Sequence, residues 1–161
     1  VWTGSMVDFK HPGQSFLRCA GSLGWGIPAT IGAKCAAPDR PVVCFTGDGG
    51  VYYHLTELDT ALRFGINPVI VVNNNSSLNQ EQGGVEGTYG GRSSLTDEKW
   101  ILSELDFDKV AESIGCFGIQ VRKPSEFEGA LDQALQSGKP ALIDVKTHIE
   151  SIAPGAWLPN N

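Results

Sequence analysis

Two polar side chains suited to binding a hard cation follow two apolar segments of the chain. Asp48 lies in the sequence GDGG (47–50), directly after the apolar segment 41–46, and Asn75 closes the segment that begins at Pro68. Mg²⁺ and Ca²⁺ prefer carboxylate and carbonyl oxygens, and Mg²⁺ bound by one or two side chains relies on substrate phosphates for further ligands. The pair predicts a metal–phosphate site, although Gly-Asp-Gly alone is better explained as a turn.

Two glycines beside Asp48 favour the same interpretation. Gly49 and Gly50 have no Cβ, so a phosphate can approach their backbone closely. The helix that they open would direct its free N–H groups and the positive end of its dipole at an anion. A diphosphate bridged by Mg²⁺ satisfies the carboxylate, the amide and the glycines together.

Alternating strands and helices must position these residues. The patterns predict strands at 15–19, 41–46, 68–72, 117–121 and 141–145, and the run 41–46, apolar without alternation, predicts a strand covered on both faces. Helices are predicted at 27–37, around 55–62, at 106–114 and at 125–136, the last opened by a Ser125–Glu128 capping box. A polar loop is predicted at 76–100. This order predicts a three-layer α/β/α fold with a mainly parallel sheet. Ligands of such sheets bind beyond the carboxyl ends of the strands, where AGSLGWG, GDGG and NNNSS fall.

The composition predicts a single globular domain over residues 1–161. Hydrophobic residues make up 41% and charged residues 19%, and the net charge is −6. That charge argues against nucleic-acid binding, which requires basic groups to displace counterions. No apolar run reaches the ~18 residues of a membrane span. The scattered cysteines and histidines favour reduced thiols in a cytoplasmic protein over disulfides or a zinc site.

The spacing from GDG to Asn75 resembles the signature of thiamine-diphosphate-dependent enzymes. The segments GSLGWGIPATIGAKCAAPDRPVVCFTGDGG and LTELDTALRFGINPVIVVNNN are similar to the C-terminal, diphosphate-binding domain of the acetolactate synthase and benzoylformate decarboxylase superfamily. The motif-level resemblance covers roughly residues 12–80 and continues beyond as a fold pattern. It implies thiamine diphosphate and Mg²⁺ as cofactors, FAD only in a middle domain, and decarboxylation or carboligation of a 2-oxo acid.

The resemblance also implies roles for individual residues. The side chains of Asp48 and Asn75 and the backbone carbonyl of Ser77 would bind the metal. Leu23 would wedge the cofactor into a bent shape in which it removes its own thiazolium proton. The implied cofactor-binding residues are Gly21, Ser22, Leu23, Gly47, Asp48, Gly49, Gly50, Asn75 and Ser77.

The resemblance implies that this chain holds half of an active site. In the family the glutamate that activates the pyrimidine belongs to a separate pyrimidine-binding domain, and Glu57, in the helix after GDGG, is expected to make local contacts. We therefore expect no catalytic residue here, a pyrimidine-binding domain or subunit as partner, and a dimer or tetramer of the full enzyme. Open alternatives are the small subunit of a split decarboxylase, a non-catalytic cofactor-binding fragment, and a Rossmann domain, whose GxGxxG spacing GSLGWG does not match.

Residues near the motifs are assigned other roles. We expect His54 to pack or lie on the surface, and Tyr52, Tyr53 and Trp25 to pack in the core or against a partner. The segment Gln80–Gln82 begins the loop that shapes substrate specificity in the family, and Thr3, Gly4 and Ser5 are further candidates for the diphosphate pocket.

Overall fold

Four parallel strands form a single sheet in the order β1-β2-β4-β3. The computed structural model describes Thr3, residues 6–19 and residues 21–151. The strands are β1 (Val43–Gly47), β2 (Val69–Asn74), β3 (Phe117–Val121) and β4 (Ala141–Lys146). The sheet confirms the predicted α/β class and its parallel pairing.

Helices connect the strands. They are α1 (Gly26–Ala36), α2 (Asp48–Val51), α3 (Glu57–Arg63), α4 (Gln82–Tyr89), α5 (Ser94–Asp97), α6 (Phe107–Ile114) and α7 (Phe127–Gln136). Short 3₁₀ turns span Asn79–Glu81 and Pro124–Glu126. None of the helices in the described part of the chain is long and apolar enough to span a bilayer.

Helices cover both faces of the sheet. On one face, Ile70 of β2 belongs to a buried cluster with residues of α1, α3 and α6. On the other face, Val69 and Val71 cluster with Ala130 and Ala134 of α7. Full burial of a valine or isoleucine side chain stabilises the fold by roughly 1.5–3 kcal/mol. A strand that is apolar on both faces therefore lies at the centre of three layers.

Among the described residues, β1 differs because helices bury only one of its faces, so the prediction that 41–46 is covered on both faces is wrong. Cys44 is buried in the cluster with α1, whereas Val43 and Phe45, which point to the opposite face, are 48% and 47% exposed. The helix of that face, α7, packs on β3 and β4. α7 therefore lies over the half of the sheet away from β1.

The strand predicted at 15–19 is wrong. Residues 14–19 carry no regular secondary structure, and Phe16 and Leu17 are exposed. A strand is held by hydrogen bonds to a neighbouring strand. Within the described residues this segment has no such neighbour, so its β preference is not realised.

The polar segment 76–100 is more ordered than predicted. It contains a 3₁₀ turn and the helices α4 and α5. α4 buries no side chain, so it lacks the apolar stripe by which a helix is recognised in a sequence. α5 begins at a cap in which the N–H of Ser93 donates to Oγ1 of Thr96 and the N–H of Thr96 donates to Oγ of Ser93.

The cap that opens the last helix is built by Glu126 rather than by the predicted pair Ser125 and Glu128. The carboxylate of Glu126 accepts the N–H groups of Arg122 and Lys123 at 2.9 and 3.0 Å. These two bonds lower the pKa of Glu126. A 3₁₀ turn therefore precedes α7, which starts later than the predicted helix.

Candidate metal and diphosphate site

The parallel pairing of β1 and β2 brings the two predicted metal ligands to one edge of the sheet. Gly47, the last residue of β1, lies opposite Asn73 of β2. Asp48 and Asn75 therefore leave adjacent strands at the same end. A cavity of about 310 Å³ beside Asn75 also has Thr3 in its lining.

Asp48 is a buried carboxylate. It is 2% exposed, its Oδ1 accepts the N–H of Gly49 at 2.8 Å, and its Oδ2 accepts the N–H of Ser77 at 3.0 Å. Burial raises the pKa of Asp48, and the surrounding backbone N–H groups oppose that rise. Among the described residues, no ion pair includes Asp48. Because a buried charge without a counterion is unfavourable, this environment suits a cation ligand.

Ser77 connects Asp48 to Asn75. Besides its backbone bond to Asp48, Ser77 donates its hydroxyl to Oδ1 of Asn75 at 3.0 Å. Ser77 is itself buried. The three residues predicted to hold the metal are therefore brought together, and all three offer hard oxygen atoms.

A Cβ would crowd neighbouring side chains at two of the three glycines in GDGG. A Cβ at Gly49 would overlap Cδ2 of Leu78, and one at Gly50 would lie 2.7 Å from Oγ1 of Thr46. At Gly47 the same position has no atom within 4 Å. The expected continuous helix is interrupted: α2 has four residues and α3 begins after a turn. Backbone N–H groups, rather than a long helix dipole, are therefore what an anion would meet here.

Of the predicted segment Gly21–Leu23, Leu23 lies against the same site. Cδ1 of Leu23 is 3.7 Å from the position of a Cβ on Gly50, and the Leu23 side chain is half exposed. The next residue, Gly24, has a φ of +90° and accepts a hydrogen bond from Nδ1 of His54 at 3.0 Å. His54 therefore tethers this loop, a role more specific than the packing or surface position predicted for it.

Other residues considered in the sequence occupy structural positions. Tyr52 packs edge-on against an aromatic ring of α6, with 5.4 Å between ring centroids. Glu57 begins α3 and is half-buried. Gln80–Gln82 run from a 3₁₀ turn into α4 instead of beginning an irregular loop. Gly4 and Ser5 lie outside the described residues.

Sequence reasoning missed a buried polar network behind the site. Asn74 and Asp144 are 2% and 0% exposed, and Nδ2 of Asn74 donates to Oδ1 of Asp144 at 2.8 Å. Nζ of Lys146 lies 3.1 Å from the other oxygen of Asp144. The available signal was the pair of charged residues in the otherwise apolar strand ALIDVK, because a charge in a buried strand requires a partner.

Comparison with known proteins decides the family. The family model described as thiamine pyrophosphate enzyme, C-terminal TPP binding domain, matches residues 1–145. The chain belongs to this family. The resemblance drawn from GDGG and Asn75 is thereby confirmed.

Similar proteins are much longer than this thiamine pyrophosphate domain. The acetolactate synthase large subunit of Haemophilus influenzae is 39% identical over 127 residues, which cover 78% of this chain and 22% of that protein. The benzoylformate decarboxylase of Pseudomonas aeruginosa is 32% identical over 142 residues, covering 88% of this chain and 26% of that protein. The chain therefore spans about a quarter of the length of these relatives.

A solved structure shows the same fold. The thiamine diphosphate-dependent 4-hydroxybenzoylformate decarboxylase of Rhodococcus jostii matches with a TM-score of 0.70 and 33% sequence identity. The match covers 78% of this chain and 23% of that one.

The residues at the sheet edge fit the cofactor of this family. Asp48 is a buried carboxylate without a described counterion, and Ser77 bonds both to it and to the amide oxygen of Asn75. Gly49 and Gly50 have no side chain, so a ligand can approach their backbone. A hard cation with a diphosphate meets each of these features.

Proposed function

We propose that this domain binds thiamine diphosphate through Mg²⁺ as the diphosphate half of an acetolactate synthase-like decarboxylase or carboligase site. The observation that carries the proposal is the geometry of Asp48, a buried carboxylate without a described counterion that is linked through Ser77 to Asn75. A divalent cation would supply the charge that this carboxylate needs, and diphosphate oxygens would complete its coordination.

Each residue has a distinct role in this proposal. Asp48 and Asn75 bind Mg²⁺ with their side chains, and Ser77 binds it with its backbone carbonyl. The backbone at Gly49 and Gly50 lies along the diphosphate, while Gly21–Leu23 contact the pyrimidine end. The bound cofactor supplies an electron sink for the loss of CO₂ from a 2-oxo acid.

The complete activity requires more protein than this chain. Because the domain spans about a quarter of its relatives, we assign the activating glutamate to a pyrimidine-binding domain or partner subunit. We expect the full enzyme to assemble as a dimer or tetramer and to bind FAD only through a middle domain. This domain contributes binding and orientation, and no catalytic residue.

Substitution of Asp48 by Ala tests the proposal. In the complete native protein, Asp48→Ala should abolish Mg²⁺-dependent binding of thiamine diphosphate, measured by calorimetry, because it removes the charged metal ligand. Asp59→Ala is the matched control, since Asp59 is an exposed carboxylate ion-paired with Arg63. Retained binding in Asp48→Ala, or an equal loss in the control, would contradict the proposed site.

A further inference from the structure

A buried chain of hydrogen bonds joins β4 to the turn that carries the proposed metal ligands. Asp144 accepts Nδ2 of Asn74 at 2.8 Å, the N–H of Phe107 at 3.1 Å and Nζ of Lys146 at 3.1 Å. Nζ of Lys146 also lies 2.9 Å from Asp106. Since its charge and both of its oxygens are compensated, the Asp144 carboxylate has a fixed orientation.

This acidic cluster is better explained as a support than as a second cation site. Asp106, Asp108 and Asp144 each present an oxygen within 4.8 Å of the others. The ammonium group of Lys146 already contacts two of these carboxylates and so takes the place of a cation. An added divalent ion would be repelled by that charge.

Asn74 links Asp144 of β4 to the turn that follows β2. Its Nδ2 donates to Asp144 and also to the carbonyl of Leu105 at 2.9 Å. Its Oδ1 accepts the N–H of Ser76 at 3.3 Å. Ser76 has a φ of +54° and is the one non-glycine residue with positive φ in the described part of the chain. Such a conformation is unfavourable by roughly 1–2 kcal/mol, so the Asn74 side chain helps to hold it.

The conformation of Ser76 determines where the flanking residues lie. Ser77 follows it, with its N–H on Asp48 and its hydroxyl on Asn75, both at 3.0 Å. Relaxation of Ser76 to negative φ would move this N–H away from Asp48. The proposed ligands are therefore coupled through one strained residue to the buried network.

We infer that Asn74 and Asp144 are positioning residues for the metal-ligating turn 75–77, with Lys146 as the counterion of Asp144. The inference rests on the proposed function of Asp48 and Asn75. The polar atoms of Asn74 and Asp144 are occupied within the protein. They act by holding the turn in its binding geometry before the metal arrives.

A charge swap tests the inference in the complete native protein. In Asn74→Asp, two carboxylates would lie against each other at positions 74 and 144. In Asp144→Asn, two amide groups would lie there. The double variant restores a hydrogen-bond donor opposite an acceptor. Each single variant should weaken Mg²⁺ binding 10- to 100-fold (order of magnitude), measured by calorimetry at saturating thiamine diphosphate, as is typical for partners of metal ligands. The double variant should bind at least about tenfold more tightly than the weaker single variant.

Two substitutions serve as matched controls. Asp108→Asn changes a buried carboxylate of the same cluster whose Oδ1 has no hydrogen-bond partner. Asn67→Asp removes an amide that donates to the carbonyl of Gly138, remote from the turn. Both should bind Mg²⁺ within about twofold of wild type. Among the described contacts the Asp108 side chain makes no hydrogen bond to Asn74, Asp144 or Ser76. Asn67 shares no partner with the turn, so its substitution is independent of it.

Hydrogen exchange of the Ser77 amide in the metal-free protein provides a second readout. Exchange should be faster in both single variants, return toward the wild-type rate in the swap, and be unchanged in the controls. If Asn74→Asp or Asp144→Asn does not fold, Asn74→Ala carries the same expectations, since it leaves Asp144 bonded to Phe107 and Lys146.

The outcomes separate the two proposals. Wild-type Mg²⁺ affinity and Ser77 exchange in the single variants, or equal losses in the controls, would overturn the positioning role. A wild-type protein without Mg²⁺-dependent cofactor binding would instead refute the proposed function. In that case Ser77 exchange still decides whether Asn74 and Asp144 hold the turn.

Discussion

Asp48 and Asp144 are two carboxylates of nearly equal burial with opposite electrostatic settings. They are 2% and 0% exposed. Asp144 has Lys146 at 3.1 Å and two further hydrogen-bond donors, whereas the described contacts of Asp48 are backbone N–H groups. A buried carboxylate requires a compensating charge. One of these two has its cation within the chain, and we propose that the other takes its cation from solution together with the cofactor.

Removal of the internal cation should have the largest effect on stability. Lys146→Met would leave Asp144 buried and next to other carboxylates, so the free energy of unfolding should fall by about 3 kcal/mol. Urea unfolding of the metal-free protein measures this loss. Lys10→Met is the control, because Lys10 lies 3.7 Å from Asp8 in an exposed pair and should change stability by less than about 0.5 kcal/mol. Similar stabilities of the two variants would remove the basis of the comparison.

The carboxylate without an internal cation should show a pH dependence of its own. Because burial raises the pKa of Asp48 above its ordinary value of 3.8, the folded state binds this proton more tightly than the unfolded state. In the metal-free protein, the contribution of Asp48 to the free energy of unfolding therefore falls as the pH rises from 3.8 through the raised pKa. Above the raised pKa this contribution is constant. Asp48→Asn should lack this decline.

Unfolding of the metal-free wild type and Asp48→Asn between about pH 4 and 8 checks this prediction. The free energy of unfolding of Asp48→Asn, relative to that of the wild type, should increase as the pH rises. Parallel curves would contradict it. With Mg²⁺ and thiamine diphosphate present, binding should strengthen over the same pH window, because protons compete with the metal for the carboxylate.

An exposed carboxylate should show the smallest effect. Asp59 pairs with Arg63 at 2.9 Å one helical turn away, and both side chains are more than half exposed. Asp59→Asn should lower the free energy of unfolding by about 0.3–0.5 kcal/mol, and the loss should shrink at high salt. A double-mutant cycle with Arg63→Gln measures the pair. A coupling energy as large as the loss in Lys146→Met would show that burial does not determine how much these carboxylates contribute to stability.

The successful predictions concern features that local sequence carries. The apolar run beginning at Pro68 predicted a buried strand, and β2 is buried on both faces. Asp48 and Asn75 were placed together because parallel strands end at one edge. The missed features depend on distant partners: residues 15–19 found no neighbouring strand in the described chain, and α4 buries no side chain, which left no helical pattern to detect.

The sequence by itself determined the order of the four strands, the oxygen-bearing side chains that follow two of them, and the family resemblance, because runs, spacing and residue types are local properties. Only the tertiary structure decided which carboxylate has a counterion and how the ligand turn is held. Asn74 meets Asp144 because β2 pairs directly with β4, although the two strands are far apart in the chain. Hydrogen bonds and ion pairs depend on the distance and orientation of atoms, and only the packed sheet provides these.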